Sequence, residues 1–244
     1  MFRRVRSGRH RIVALVCGVL LLVAGAVGCG RSGSDDRVKG KELFVSKCGS
    51  CHTLARASTK GIQGPNLDQA FGPARSDGLG ERTVEGVVRR QIAHTRRGSI
   101  MQSGLVKGSD ANDVAAYVAA VAGQPGKDQG ILASAGAPKV SNKPIAAKAG
   151  KLEIDANPTG ALAFVAKKAT APGGSLEVLS LNKAQVGHNI ALQDASGKAL
   201  GKGAVVAGGK TSQFSATLKP GKYTFLCTVP GHEAGGMKGE LTVK

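Results

Sequence analysis

Cys48-Gly49-Ser50-Cys51-His52 sets two thiols two residues apart with an imidazole directly behind them. Thiols at that spacing reach both vinyl groups of one porphyrin, and the adjacent histidine then lies beneath the iron, so the pattern reads as covalent c-type haem attachment. Half of a zinc site would need further Cys or His nearby, and this stretch offers only His94. A redox dithiol would want an alternating strand–helix pattern, which is absent. The sixth iron ligand is expected from Met101, in Gly98-Ser99-Ile100-Met101, with His94 as rival and an open position as the remaining alternative. Methionine–histidine ligation raises the potential relative to two histidines, and filling both axial positions keeps substrate off the iron.

A second constellation lies near the C-terminus. His188-Asn189 is followed much later by Cys227-Thr228-Val229-Pro230-Gly231-His232-Glu233-Ala234-Gly235-Gly236-Met237. One soft thiolate, two imidazoles and a distant thioether are the donors of a mononuclear blue-copper site, with Cys and both His roughly in a plane and Met weak along the axis. A zinc site is the alternative for the same set, and Glu233 reads as an exposed neighbour. A binuclear copper loop would need a second cysteine. A copper nitrite reductase would need a further multi-histidine site, and once the other histidines are assigned only His94 is left.

These side chains need elements to carry them. Val114, Tyr117, Val118 and Val121 fall at i, i+3, i+4 and i+7, opened by a Ser109-Asp110 cap and closed by Gly123 and Pro125. Val84, Val87, Val88 and Ile92 mark another amphipathic helix, and Val38–Lys47 a third. The second half shows short apolar segments punctuated by Gly, Pro and Asn: Leu152–Asp155, Leu162–Lys167, Ser175–Leu181, Asn189–Gln193, Ala204–Ala207, Gln213–Leu218, Gly221–Cys227 and Gly239–Val243. That spacing predicts an all-β sandwich or barrel. Arginine also divides the chain: nine lie between Gly30 and Gln124, and none follow Pro125. The Pro-, Gly-, Ala- and Lys-rich stretch 125–150 reads as a linker of mixed stiffness.

With these residues in view, segment 38–123 resembles a class I cytochrome c. Gly40 and Phe44 precede Cys48 as in that family's N-terminal helix, and Tyr117 falls where an aromatic of its C-terminal helix packs against them. Gly64-Pro65-Asn66-Leu67 resembles the loop whose Pro carbonyl accepts the Nδ1–H of the haem-ligating histidine, which implies that role for Pro65 toward His52. Gln102 stands where members often have Pro after the ligand Met. Segment 151–244 resembles the cupredoxins, the azurin–plastocyanin–auracyanin group above all, on Tyr223-Thr224-Phe225-Leu226-Cys227 before the C-x4-H-x4-M loop. The resemblance implies that Asn189 and Thr228 cross-link the ligand-bearing segments and help orient the Cys227 sulfur. The fold class implied is multidomain: an all-α class I cytochrome c fold, then an all-β cupredoxin Greek-key sandwich.

The first 28 residues read as an address. Five arginines without an acid precede the apolar run Ile12–Val27, which is close to a signal-peptide core and short for a span. Ala26-Val27-Gly28-Cys29 resembles a bacterial lipobox, which implies a lipidated Cys29; an uncleaved anchor is the alternative. The expected divisions are 1–28 signal peptide, 29–37 lipidated tether, 38–124 cytochrome c domain, 125–150 linker and 151–244 cupredoxin domain. With Cys17 removed and the other cysteines assigned, no disulfide is expected despite an oxidising compartment.

The 244 residues carry +18, and +13 once the five signal arginines are gone. Nucleic acid is disfavoured, because an exported chain with 3% aromatics lacks the basic–aromatic interleaving that single strands need. An acidic protein partner or an anionic membrane surface suits the charge. Arg89, Arg90, Arg96 and Arg97 form a candidate docking patch beside the Met101 loop, or simply a solvated helix face. The function expected is a lipid-anchored electron carrier, not an enzyme, on the outer face of a bacterial plasma membrane. It would relay single electrons between one haem c, one type 1 copper and respiratory redox partners: a quinol-oxidising complex, a terminal oxidase or a nitrogen-oxide reductase. The alternatives are a haem-dependent peroxidase or nitrite reductase fed by the copper domain, and a copper- or redox-sensing lipoprotein.

Overall fold

The computed structural model describes residues 35–244. The expected signal peptide and Cys29 lie outside the described residues. Among those described, no helix is long and apolar enough to cross a membrane.

The N-terminal half is helical. Asp36 accepts hydrogen bonds from the Val38 and Lys39 amides and so starts α1 (Arg37–Lys47), satisfying two of the amides a helix N-terminus leaves free. A small antiparallel pair, β1 (Thr53–Leu54) and β2 (Thr59–Lys60), follows the cysteine turn. Asn66 caps α2 (Leu67–Ser76) through the Asp68 and Gln69 amides. Then come α3 (Glu81–Ala93) and α4 (Gly108–Val121). Helix α4 starts earlier than its sequence suggests: Lys107 occupies the cap position without a side-chain bond, and Ser109 and Asp110 sit inside the first turn, where Asp110 favours the positive end of the helix dipole.

Helix α1 crosses α4 at Gly40, where a β-carbon would run into the Asp113 carbonyl. That close approach lets Phe44 meet Tyr117 with ring centroids 6.4 Å apart, inside a cluster with Leu54, Ile92, Val114 and Val118. Helix α2 has no predicted counterpart. Its apolar residues Leu67, Ala70, Phe71 and Ala74 do repeat at helical spacing, and Leu67 and Phe71 pack partly buried against the core, but the helix buries no residue fully and Gly72 and Pro73 interrupt the pattern.

The C-terminal half is a two-sheet sandwich. The strands are β3 (Ile145–Ala146), β4 (Lys151–Glu153), β5 (Lys168–Ala171), β6 (Gly174–Leu181), β7 (Ala191–Gln193), β8 (Ala199–Lys202), β9 (Thr211–Leu218), β10 (Gly221–Leu226) and β11 (Lys238–Val243). One sheet runs β3-β5-β11-β10-β7-β8 and the other β4-β6-β9. Between them pack Leu152, Ile154, Phe164, Leu176, Val178, Ile190, Leu192, Phe225 and Leu241, with Phe164 edge-on to Phe225 at 5.4 Å. Two predicted strands are displaced. Residues 162–167 make only isolated bridges before β5 begins at Lys168, and 204–207 contribute one bridge, Val206 to His188, while the strand itself is Ala199–Lys202. Residues 162–164 and 166 turn inward without a ladder to join, whereas Ala204, Val205 and Ala207 are exposed.

The stretch 125–150 holds more structure than its composition suggests. It contains the short helix α5 (Ile131–Ser134), and its end supplies β3, parallel to β5. Its start is clasped to the helices: Asp128 accepts from Tyr117 Oη at 2.8 Å and Arg56 Nε at 2.9 Å, and lies 3.0 Å from Lys41 Nζ, which also donates to the Leu132 carbonyl. The side chains of Lys41 and Asp128 are 5% and 2% exposed, so this is a buried charge pair. Burial pushes the Asp128 carboxyl up, but the hydrogen bonds from Tyr117 and Lys41, with the Lys41 charge, outweigh it and hold the group below its ordinary value.

A carboxylate held low stabilises the fold above its unfolded pKa of about 3.9 and loses that contribution as pH falls through the lower folded value. Asp128→Asn is expected to cost about 3 kcal/mol, because Lys41 keeps its charge without its buried partner. Chemical denaturation of both proteins at pH 7 and pH 3 measures this. The difference should shrink at the lower pH, and equal stabilities at pH 7 would show that the clasp contributes nothing.

Candidate metal centres

In the helical half, Cys51 and His52 donate their amides to the Cys48 carbonyl at 3.1 and 2.9 Å, so one tight turn carries both thiols and the imidazole. His52 Nδ1 lies 2.9 Å from the Pro65 carbonyl oxygen. A carbonyl can only accept, so Nδ1 carries the proton and Nε2 keeps the lone pair that a metal needs. Gly64 makes this possible: a β-carbon there would lie 2.5 Å from the His52 ring. Burial, then the neighbouring Cys51, pushes the Cys48 thiol up to about 12. A redox-active dithiol needs the opposite shift.

Met101 packs against the helical core, its sulfur 3.7 Å from Gln91 Nε2. His94 ends α3 as an exposed residue and lines an open groove with Gly86, Arg89, Arg90 and Ala93. Of the two candidates, Met101 is half-buried against the helical core, whereas His94 is exposed.

In the sandwich, the metal-binding atoms of His188, Cys227 and His232 lie within 4.8 Å of one another, all three residues buried. The two Nδ1 atoms are 3.1 Å apart, and Cys227 Sγ is 3.9 Å from His188 Nδ1 and 3.5 Å from His232 Nδ1. Cys227 leaves the end of β10, and His232 opens the one-turn helix α6 (His232–Gly235). His188 arrives from a separate segment bridged to Val206. Met237 closes the loop, fully buried in the same core as Cys227, its carbonyl accepting from the Cys227 amide.

Asn189 joins the two segments. Its Nδ2 donates to Thr228 Oγ1 at 2.9 Å and to the Gly203 carbonyl at 3.0 Å, while its Oδ1 accepts from the Thr228 amide at 2.8 Å. Burial raises the Cys227 thiol, and the backbone amides of Asn189 and Val229 work against that by hydrogen-bonding the sulfur. The Val229 amide is a participant that the sequence does not announce, since any residue supplies one. Glu233 is engaged at the surface by Lys238 at 3.3 Å.

This donor set fits one thiophilic, imidazole-binding metal. It offers no carboxylate for magnesium or calcium, and two imidazole nitrogens aimed at each other across 3.1 Å beside a sulfur suit copper or zinc. His188 Nε2 is buried without a partner, which marks Nδ1 as that ring's engaged nitrogen.

The chain is similar to two sets of known proteins in separate segments. Residues 38–122 match the family model of cytochrome c, and residues 150–244 match that of the copper binding proteins of the plastocyanin/azurin family. Among solved structures, dithionite-reduced auracyanin from Roseiflexus castenholzii aligns at 25% identity over 40% of this chain and 99% of its own, with a TM-score of 0.36. Auracyanin B aligns at 26% over 45% and 96%, TM-score 0.35, and rusticyanin from Thiobacillus ferrooxidans at 19% over 44% and 86%, TM-score 0.34. The cofactors these segments imply are a covalent haem c and a type 1 copper, and the residues just described fit both.

Burial holds both copper-site imidazoles neutral: it takes His188, with the facing His232 adding to it, down to about 4, and His232 also to about 4. Unfolded imidazoles titrate near 6.5. The unfolded chain therefore binds more protons between those values, and the metal-free protein should lose stability as pH falls from about 6.5 to about 4, by roughly 1–3 kcal/mol per ring. Thermal unfolding of metal-free protein across that range measures it. In His232→Gln the slope should flatten, and identical slopes would contradict the assignment.

Proposed function

We propose that this chain, a cytochrome c domain joined to a plastocyanin/azurin-type copper-binding domain, is a membrane-tethered carrier that relays single electrons between its two centres and external redox proteins. The observation that supports this reading is the buried His188–Cys227–His232 cluster in one domain, with the Cys48–His52 turn and its Pro65-held imidazole in the other. When bound, haem c and type 1 copper supply the one-electron couples Fe(III)/Fe(II) and Cu(II)/Cu(I). The chain's own residues do the rest. Cys48 and Cys51 would hold the porphyrin covalently, His52 and Met101 would ligate its iron, and the Pro65 carbonyl sets the tautomer of His52. His188, Cys227, His232 and Met237 would hold copper, while Asn189 and Thr228 lock the two ligand segments together. With its four donors buried in the sandwich, the copper site need not rearrange or exchange protons as the electron count changes.

Export and anchoring rest on residues 1–29, and an outer-face location follows from them. Cys29→Ser is expected to move the protein from the membrane fraction to the soluble exported fraction. Retention of the variant in the membrane would favour an uncleaved anchor.

The partners proposed are respiratory complexes with an acidic docking face. Arg89, Arg90, Arg96 and Arg97 support this, because none forms an ion pair among the described residues and Arg89 and Arg90 line the groove beside His94. Arg96→Ser with Arg97→Ser should slow electron exchange with an acidic redox partner at low ionic strength, and added salt should erase the difference. Stopped-flow rates that are equal for both proteins and independent of salt would remove the docking proposal.

A further inference from the structure

The two halves touch at one seam close to both candidate centres. Gly61 presses on the cysteine turn so closely that a β-carbon would strike Cys51, and the next two residues reach across to the copper loop. Gln63 Oε1 lies 3.6 Å from Cys51 Sγ, and Gln63 Nε2 donates to the Pro230 carbonyl at 3.5 Å. Ile62 lies against Gly231, where an added β-carbon would be 2.7 Å from Ile62 Cγ1. Gly231 has φ +83°, a left-handed conformation that also suits glycine. His232 follows directly.

At 3.6 Å the Cys51 sulfur and the Gln63 oxygen are in van der Waals contact, which needs no proton on sulfur and so is compatible with a thioether at Cys51. The path from haem-bearing sulfur to copper-bearing imidazole is then short: Cys51 Sγ, the Gln63 carboxamide, the Pro230 carbonyl, and the backbone to His232.

Two further contacts hold the halves in this pose: a β-carbon on Gly160 would lie 2.6 Å from Ser46 Cα, and Ala161 packs into the helical core. Within the connecting chain, Gly136 fits against Val45. The Asp128 clasp secures the connecting chain. A freely swinging linker would show none of these.

We propose that the cytochrome and copper domains are docked in a fixed pose, and that Gln63, seated by Ile62 against Gly231, is the positioning residue that bridges Cys51 to the Pro230–His232 segment for electron exchange. This rests on the relay reading above. One electron leaves one metal and arrives at the other, in the direction their potentials set, with no bond broken and no proton moved.

The test uses the full mature chain loaded with haem c and copper, beside Gln63→Ala and the double variant Ile62→Asp with Gln63→Ala. After a laser pulse with a photoexcited ruthenium complex as reductant, haem and copper absorbances follow exchange between the centres, and small-angle X-ray scattering measures the radius of gyration. The parent should exchange at a rate independent of protein concentration and of added glycerol. Gln63→Ala should slow exchange roughly tenfold while leaving the scattering profile unchanged. The double variant should expand and become viscosity-dependent, with both absorption spectra retained. A parent rate that falls in proportion to viscosity, or an expanded parent profile, would overturn the fixed pose. An unchanged rate in Gln63→Ala would overturn the bridge. Failure of the relay reading looks different: a compact, doubly loaded parent in which no electron passes between the centres at all, which overturns the bridge as well.

Discussion

Three metal-seeking atoms, the Cys227 sulfur and one nitrogen each from His188 and His232, are held within 4.8 Å of one another inside an apolar sandwich, and the architecture around them answers to that crowding. Neutral imidazoles facing each other beside a thiol gain little from one another. They stay together because the sheets on either side leave no alternative. The strand β10 delivers Cys227, the one-turn helix α6 turns His232 back toward it, and the paired hydrogen bonds between Asn189 and Thr228 tie the incoming His188 segment to the loop. The amides of Asn189 and Val229 supply hydrogen bonds to sulfur that burial alone would deny. A site built this way fixes the geometry before any metal arrives, which is what a centre that changes charge without moving requires.

The helical half solves the same problem by different means. There the cofactor is bound through covalent bonds, so the fold has only to present a turn and orient one ring. The Cys48 carbonyl gathers the Cys51 and His52 amides, the Pro65 carbonyl takes the imidazole proton, and Gly64 leaves room for the ring. Helices α1 and α4 cross at Gly40 to support that turn from behind. The buried Lys41–Asp128 pair extends this support to the connecting chain, so the segment between the halves belongs structurally to the first of them until it enters the sheet as β3.

What could be read from the residues follows from the range of each interaction. The cysteine turn and the Cys227–Met237 loop are local, so spacing alone carries them, and alternation and helical period carry α3, α4, β6 and β9. Helix α2 escaped because Gly72 and Pro73, residues that break helices, stand inside its short apolar period. Segment 162–167 packs inward outside any ladder and 204–207 is mostly exposed, and apolar composition alone separates neither from a strand. Asp128, in a stretch that reads as loose linker, gains its role only when Lys41, Arg56 and Tyr117 converge on it from distant positions. Gln63 is likewise an ordinary polar residue until Cys51 and Pro230 are brought to either side of it.

The most direct check on the whole account is an anaerobic redox titration of the purified chain, following the haem bands and the blue thiolate-to-copper band together. Two chromophores, each bleaching or developing with one electron per polypeptide and returning fully on reoxidation, are the predicted outcome. A chain that shows only one of them, or takes up fewer than two electrons in all when fully matured, contradicts it.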